Sequence, residues 1–185
     1  MVDLVDAQRR PFAPDARWTD LLDPRTQVEV RVVDAATANL GAQRLTAGLP
    51  QGPLALTLSA EVSGLPPARI PDADALYRPV VHLAAYAGNP PAVVGIGRLC
   101  SFDRGLRSLG TVLVQPGWTG PRLAVTLVRP LVWACARTGM QRLLIHSAPD
   151  DRVVADLANV LGFRTTQDPD DPSRLRHTLS LSRGD

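Results

Sequence analysis

From Leu109 to Phe163 the chain reads as an apolar strand, a turn broken by Gly and Pro, a helix, a second apolar strand, a second helix and a closing Gly-Phe. No other stretch constrains the fold as much, because a strand that feeds a helix and returns as a strand forms a right-handed crossover unit whose two strands run parallel. Leu109 to Gln115 is the first strand, stopped by Pro116-Gly117. Pro121 to Thr138 is the helix: Pro at the first turn loses an N–H that has no partner there anyway, and Gly139 stands just past the end as a cap. Leu123, Leu127, Leu131 and Ala134 recur at four- and three-residue spacing, which turns one face of this helix to a sheet. Pro130 removes the bond to the Thr126 carbonyl and predicts a bend, at about 3 kcal/mol unless packing offsets it. Arg142 to His146 is the second strand, Asp150 or Asp151 opens a second helix to Leu161, Gly162 closes it, and Leu175 to Leu181 alternates as a last strand.

Upstream the signals are shorter. Residues 1 to 26 carry Pro11, Pro14 and Pro24 among charges and read as an N-terminal arm, partly extended, with the fold expected to start after it. Gln27 to Val33 alternates as a half-buried strand, and Asp34 caps a helix to about Leu49. Between 50 and 79 prolines punctuate an apolar run, Leu54 to Val62, that fits a helix or a strand equally well. Val80 to Ala87 and Ala92 to Cys100 flank Gly88-Asn89-Pro90-Pro91, a turn that predicts an antiparallel hairpin, and Leu109 to Gln115 extends it to a meander. At 185 residues and 19.8 kDa, the chain suits one domain, residues 27 to 185, that buries about two-thirds of its unfolded surface.

Composition excludes several classes of function. All 20 basic residues are Arg, a bias that reads as a GC-rich coding background, and a net charge of +2 with no basic block argues against a nucleic-acid partner. Cys100 and Cys135 have no Cys-x-x-Cys pairing and no histidine cluster, so both read as small buried residues, with no metal expected. Asp3, Asp6, Arg9 and Arg10, with no apolar core, predict that the start is not a signal peptide, and no stretch offers the roughly 18 apolar residues of a membrane helix. The expectation is a cytoplasmic protein away from membranes.

Where a strand ends in a turn and feeds a helix, the first helical N–H groups are unpaired and attract phosphate by hydrogen bonding and dipole together. Here that turn runs Val114-Gln115-Pro116-Gly117-Trp118-Thr119-Gly120-Pro121-Arg122-Leu123-Ala124. It resembles the pyrophosphate turn of the GNAT superfamily of acyl-CoA N-acyltransferases, in which Arg or Gln, two variable residues, Gly, one variable residue and Gly or Ala follow a Val-x-Pro strand end. Thr119 stands at the Arg/Gln position, Arg122 at the first Gly and Ala124 at the last small residue, so two of three signature positions depart from the pattern. A guanidinium at Arg122 crowds the pyrophosphate, and equally offers it a bidentate partner. A plain strand-to-helix turn without a ligand is the alternative reading. The Trp118 indole either stacks on adenine or packs onto the N-terminal arm.

In the second half of the resemblance, ending at Leu161-Gly162-Phe163, the family has Asn near the helix start and Tyr four residues before the Gly; this chain has Asp151 and Ala158. The tyrosine proposed in the family to protonate the departing thiolate is therefore missing, and the strand Leu109 to Gln115 has no Glu or Asp to act as base. His146, at the carboxyl end of its strand, is the candidate base beside the cleft between the two parallel strands, or else a hydrogen-bonded strand-end histidine. His82 and Tyr86 share a strand face and either line an acceptor wall, with Tyr86 as a second catalytic candidate, or serve the core or surface. Ser147 and Asp151 are candidates to bond the pantetheine arm or the acceptor.

The resemblance implies an α/β (α+β) domain: a central twisted mixed sheet of six to seven strands flanked by helices. It implies acetyl-CoA or another acyl-CoA as cosubstrate. Amides of Val112 and Val114 would polarise the thioester, Thr119, Gly120, Arg122, Leu123 and Ala124 would hold the pyrophosphate, and Asp151 would lie nearby. The implied activity is acetyl transfer to a small-molecule or peptide amine by direct attack, carried largely by positioning. Pairing into a homodimer is common among proteins it resembles. The alternative is a GNAT-like protein without catalysis, serving as a partner-binding or regulatory module.

Overall fold

The structure, a computed structural model, describes residues 16–23, 26–47, 54–62, 78–118 and 121–181. Its strands are β1 (Arg17–Asp23), β2 (Thr26–Val32), β3 (Leu54–Glu61), β4 (Arg78–Ala87), β5 (Ala92–Phe102), β6 (Arg107–Val114), β7 (Arg142–Ser147), β8 (Arg164–Gln167) and β9 (Leu175–Ser180). The helices are α1 (Ala35–Thr46), α2 (Pro121–Arg137) and α3 (Arg152–Val160). All nine described strands form one sheet in the order β1-β2-β4-β5-β6-β3-β7-β9-β8.

Local signals placed most of these elements. Asp34 caps α1 by accepting from the Thr37 N–H at 2.7 Å, and Asp151 caps α3 by accepting from Val154 N–H at 3.1 Å. Gly139 and Gly162, at φ +83° and +78°, end α2 and α3 in the conformation that glycine adopts without strain. The β4–β5 hairpin forms across its turn, with Ala87 opposite Ala92. Helix α2 continues through Pro130 to Arg137, because Leu123, Leu127 and Leu131 bury fully against the sheet and offset the lost bond.

Two expectations are corrected, and one alternative left open is settled. The sheet has nine described strands rather than six or seven, since β1 and β8 extend its two edges; β1 lies inside the stretch read as an arm. Leu54 to Glu61 resolves as a strand. Most consequential is where it goes: β3 lies between β6 and β7 and runs antiparallel to both, so the two strands expected to be parallel neighbours are parallel but separated. Among the described strands every adjacent pair is antiparallel.

The sheet's two faces are built differently. On the inner face α2 and α3 cover Leu56, Leu58, Leu83, Val112, Leu143 and Ile145, the main core. On the outer face α1 packs through Ala38 and Leu45 onto Ala84 and Ile96. A Cβ at Gly95 would meet Leu127 Cδ1 at 2.7 Å, so glycine lets α2 approach β5.

Candidate functional site

The strand-to-helix turn is the first place to test the sequence reading. Gln115 N–H donates to Val94 O at 2.9 Å and Trp118 N–H to Gln115 O at 3.0 Å, which folds the turn back on itself, with Gly117 at φ +90°. Trp118 is half-buried against the main core. Thr119 and Gly120, two of the expected pyrophosphate contacts, lie outside the described residues. Leu123 and Ala124 are fully buried in the first turn of α2 and serve packing.

Arg122 is engaged elsewhere than its expected role requires. Its guanidinium donates to the Leu22 carbonyl of β1. One turn on, the Thr126 hydroxyl donates to the Asp20 carboxylate at 2.6 Å, so the β1 edge is clamped along the outer side of α2. A shallow cleft between them is lined by Asp20, Leu22, Arg122, Val125, Thr126 and Arg129. Asp20 brings a carboxylate to that cleft, and a like charge there opposes a pyrophosphate.

Val112 and Val114, whose amides are expected to polarise a thioester, lie inside the sheet. Both side chains are buried, and β6 is paired along both edges: Val114 stands between Gly95 and Leu54, and Val112 between Gly97 and Leu56. An amide committed to a sheet ladder is not open to a thioester carbonyl. The reason is the intercalated β3, which supplies the neighbour that an acyl chain would need to replace.

The two catalytic candidates are not brought together. Tyr86 on β4 is half-buried, with the Arg31 guanidinium over its ring at 4.8 Å from the centroid. His146 is on β7, four strand steps away, or roughly 19 Å at the usual strand spacing. Its Nε2 lies 3.2 Å from Asp168 Oδ2, and Asp168 is nearly buried and held through Oδ1 by the Asp170 N–H at 3.0 Å. That leaves Nδ1 of a half-exposed imidazole for an outside partner.

Ser147 and Asp151 do structural work. Asp151 is the α3 cap. Ser147 Oγ is 2.9 Å from His177 Nε2, while His177 Nδ1 is 2.8 Å from Thr165 Oγ1. Ser147 donates to Ala148 O, so it accepts from Nε2–H, and Thr165 donates to Nδ1. This assignment leaves a neutral, fully satisfied imidazole at 0% exposure; burial, and then nearby His146, hold its pKa below the usual histidine value.

Sequence reasoning missed Asp168, His177 and Arg98. Arg98 interrupts the apolar β5 run and faces His82 across the hairpin, one position further than counting back from the Gly88–Pro91 turn would place it, because the register shifts between Ala85 and Tyr86. Its Nη2 donates to Ala38 O of α1 at 2.6 Å. Among the described residues no group of His, Cys, Asp and Glu could hold a metal ion, and no helix is long and apolar enough to cross a membrane.

No protein-family model matches the chain, and no curated protein matches it in sequence. Solved structures match it in shape. The GNAT domain of S. lividans PAT superposes with a TM-score of 0.58 at 14% identity, covering 89% of this chain and 97% of that one. A domain from Methanocaldococcus jannaschii gives 0.53 at 11% identity, over 84% and 99%. The yncA protein of Salmonella typhimurium, solved with its cofactor acetyl-CoA, gives 0.51 at 18% identity, over 85% and 95%. The fold is GNAT-like.

Proposed function

We propose that this chain uses the GNAT-like fold as a binding module, with no acyl transfer between β6 and β7. One observation carries the reading: β3 fills that gap, pairing with β6 over eight positions from Leu54–Val114 to Glu61–Arg107 and with β7 over four. Leu56, Leu58 and Ala60 of β3 belong to the buried core. Withdrawing the strand would expose two leucines at roughly 1.5–3 kcal/mol each and break two ladders, more than a modest ligand returns. The departures at Thr119 and Arg122 and the absence of a tyrosine at Ala158 point the same way.

A second reading is favoured by the likeness to a fold solved with acetyl-CoA: an acyl-CoA-dependent N-acyltransferase that acetylates an amine. In it β3 swings out, the amides of Val112 and Val114 polarise the thioester, and residues 119–124 with Arg122 hold the pyrophosphate. His146, backed by Asp168, takes the proton as the amine nitrogen bonds to the carbonyl carbon and the thiolate leaves to be protonated by solvent. Tyr86 would sit on the acceptor side. A cytoplasmic location and pairing of two copies are proposals under either reading.

Thermal unfolding with and without acetyl-CoA separates the two. A ligand at 100 times its Kd stabilises by about 2.7 kcal/mol, a clear rise in Tm. The binding-module reading expects no rise with acetyl-CoA or CoA, whereas the acyltransferase reading requires one.

A further inference from the structure

The strand register places seven polar side chains in one row across the outer face. His82 on β4 stands opposite Arg98 on β5, Arg98 opposite Thr111 on β6, and Thr111 opposite Thr57 on β3. One step beyond the Leu58–Ile145 pair, His146 continues the row; it stands opposite Arg176 on β9, and Arg176 opposite Thr166 on β8. Seven strands at the usual spacing make a track of roughly 29 Å. On one side the flanking row is apolar, Ala84, Ile96, Leu113 and Ala55; on the other it mixes Cys100, Leu109 and Leu144 with Ser59 and Thr178. A polar row of this length, apolar along one flank, is not needed for packing.

Arg98 and Arg176 are fixed cations; among the described residues Asp168 stands against the row, engaged with His146, and Asp34 lies at the His82 end. Glu61, nearby on β3, is paired with Arg142 at 2.7 Å. At the end roofed by the first turns of α1, His82 is only 8% exposed, and neither ring nitrogen has a partner at full hydrogen-bond geometry among the described residues, the Asp34 backbone being close enough to favour the charged ring. Arg98 Nε is buried and unpartnered too. Buried donors and acceptors are rarely left unmet in native structures. The Asp34 carboxylate, the nearest opposing charge, is bonded to Thr37 N–H of its own helix.

We infer that this row is a ligand track, and that Arg98 and His82 beneath the N-terminal turns of α1 receive the carboxylate or phosphate head of a small organic anion. One oxyanion accepts from both Arg98 Nε–H and a His82 ring N–H, which satisfies the two groups the fold leaves open. The body of the ligand lies along Thr111 and Thr57, whose hydroxyls both donate and accept, toward His146. Thr57 completes the row only while β3 stays between β6 and β7, so the inference deepens the binding-module reading and rests on it.

Nitrogen-15 NMR of the Arg98 Nε–H and the His82 ring tests the track. Inorganic phosphate and succinate are titrated separately at ionic strength fixed with NaCl, so the arm that saturates identifies a phosphate or a carboxylate head. The expected result is a saturable shift of both signals in the unaltered protein, with the ligand affinity read from the His82 ring alone weakened at least about tenfold in Arg98→Met and in Arg98→Lys, which keeps the charge and loses the planar fork. Circular dichroism verifies that the variants fold, and Arg98→Lys carries the test if Arg98→Met does not. Signals that follow NaCl alone, a His82 signal that moves equally in the Lys variant, or signals that stay fixed because water occupies the site would overturn the inference. A flat response here with no Tm rise from acetyl-CoA sinks the track and leaves the module reading standing; a Tm rise from acetyl-CoA sinks the module reading itself.

Discussion

Leu58 of β3 faces Ile145 of β7 in register, in the position where a crossover unit would have set β6 directly beside β7. Both side chains are about 1% exposed and point into the core beneath α2 and α3. The pair makes β3 a structural strand as well as an occupant of the gap, and the functional reading turns on that double role.

If β3 is integral, Leu58→Ala should cost about 2–5 kcal/mol of stability, read from the shift of a denaturant midpoint. A cost below about 1 kcal/mol would mean that the strand is loosely seated and that the gap opens easily.

The β1 clamp on α2 predicts that Arg122→Ala and Asp20→Ala each lower stability, by about 0.5–1.5 kcal/mol for the hydrogen bond lost to the Leu22 carbonyl or to Thr126. Chemical denaturation measures both. Unchanged stability in the two variants would detach β1 from α2 and free Arg122 for a ligand.

His177 gives a pH signature. Its folded pKa lies below the model-peptide value of 6.5, because burial and then His146 disfavour its charged form. The unfolded chain therefore binds the proton first as pH falls, so this contribution to stability is complete above about pH 6.5 and is lost below it, by at most about 1.4 kcal/mol per pH unit. His82, lowered chiefly by burial and then by Arg98, adds in the same window and direction. Carboxylates held low, such as Asp34 by the Thr37 N–H, lose their contribution only at more acidic pH, nearer 4. Unfolding curves from pH 8 to 5 should show the loss, flattened in His177→Gln; a flat wild-type profile would contradict the buried neutral imidazole.

Asp151→Ala should destabilise by about 0.5–2 kcal/mol as a lost helix cap. Asp151→Asn should recover most of it, since an amide oxygen also accepts from Val154 N–H. Failure of the asparagine to rescue would assign Asp151 a role beyond capping.

What was legible in the sequence was local. The β4–β5 hairpin, the caps at Asp34 and Asp151 and the α2 stripe of Leu123, Leu127 and Leu131 each depend on residues within a turn or two of one another. The position of β3 was not legible, because alternation at Leu54, Leu56, Leu58 and Ala60 identifies a strand without naming its neighbours; its partners lie about 50 and 85 residues downstream. The expected site suffered for the same reason. Val112 and Val114 keep their strand, but a neighbour brought from far upstream takes their free edge. His177 depends on Ser147 and Thr165, 30 and 12 residues away, and the polar row is visible only once seven strands are in register.

Calorimetric titration of the folded protein with acetyl-CoA, with parallel melting curves, tests the central claim most directly. With β3 seated between β6 and β7, no saturable heat and no rise in Tm are expected up to millimolar ligand. A stoichiometric isotherm with a Tm rise, abolished by Arg122→Glu, would contradict it and return the chain to the acyltransferases.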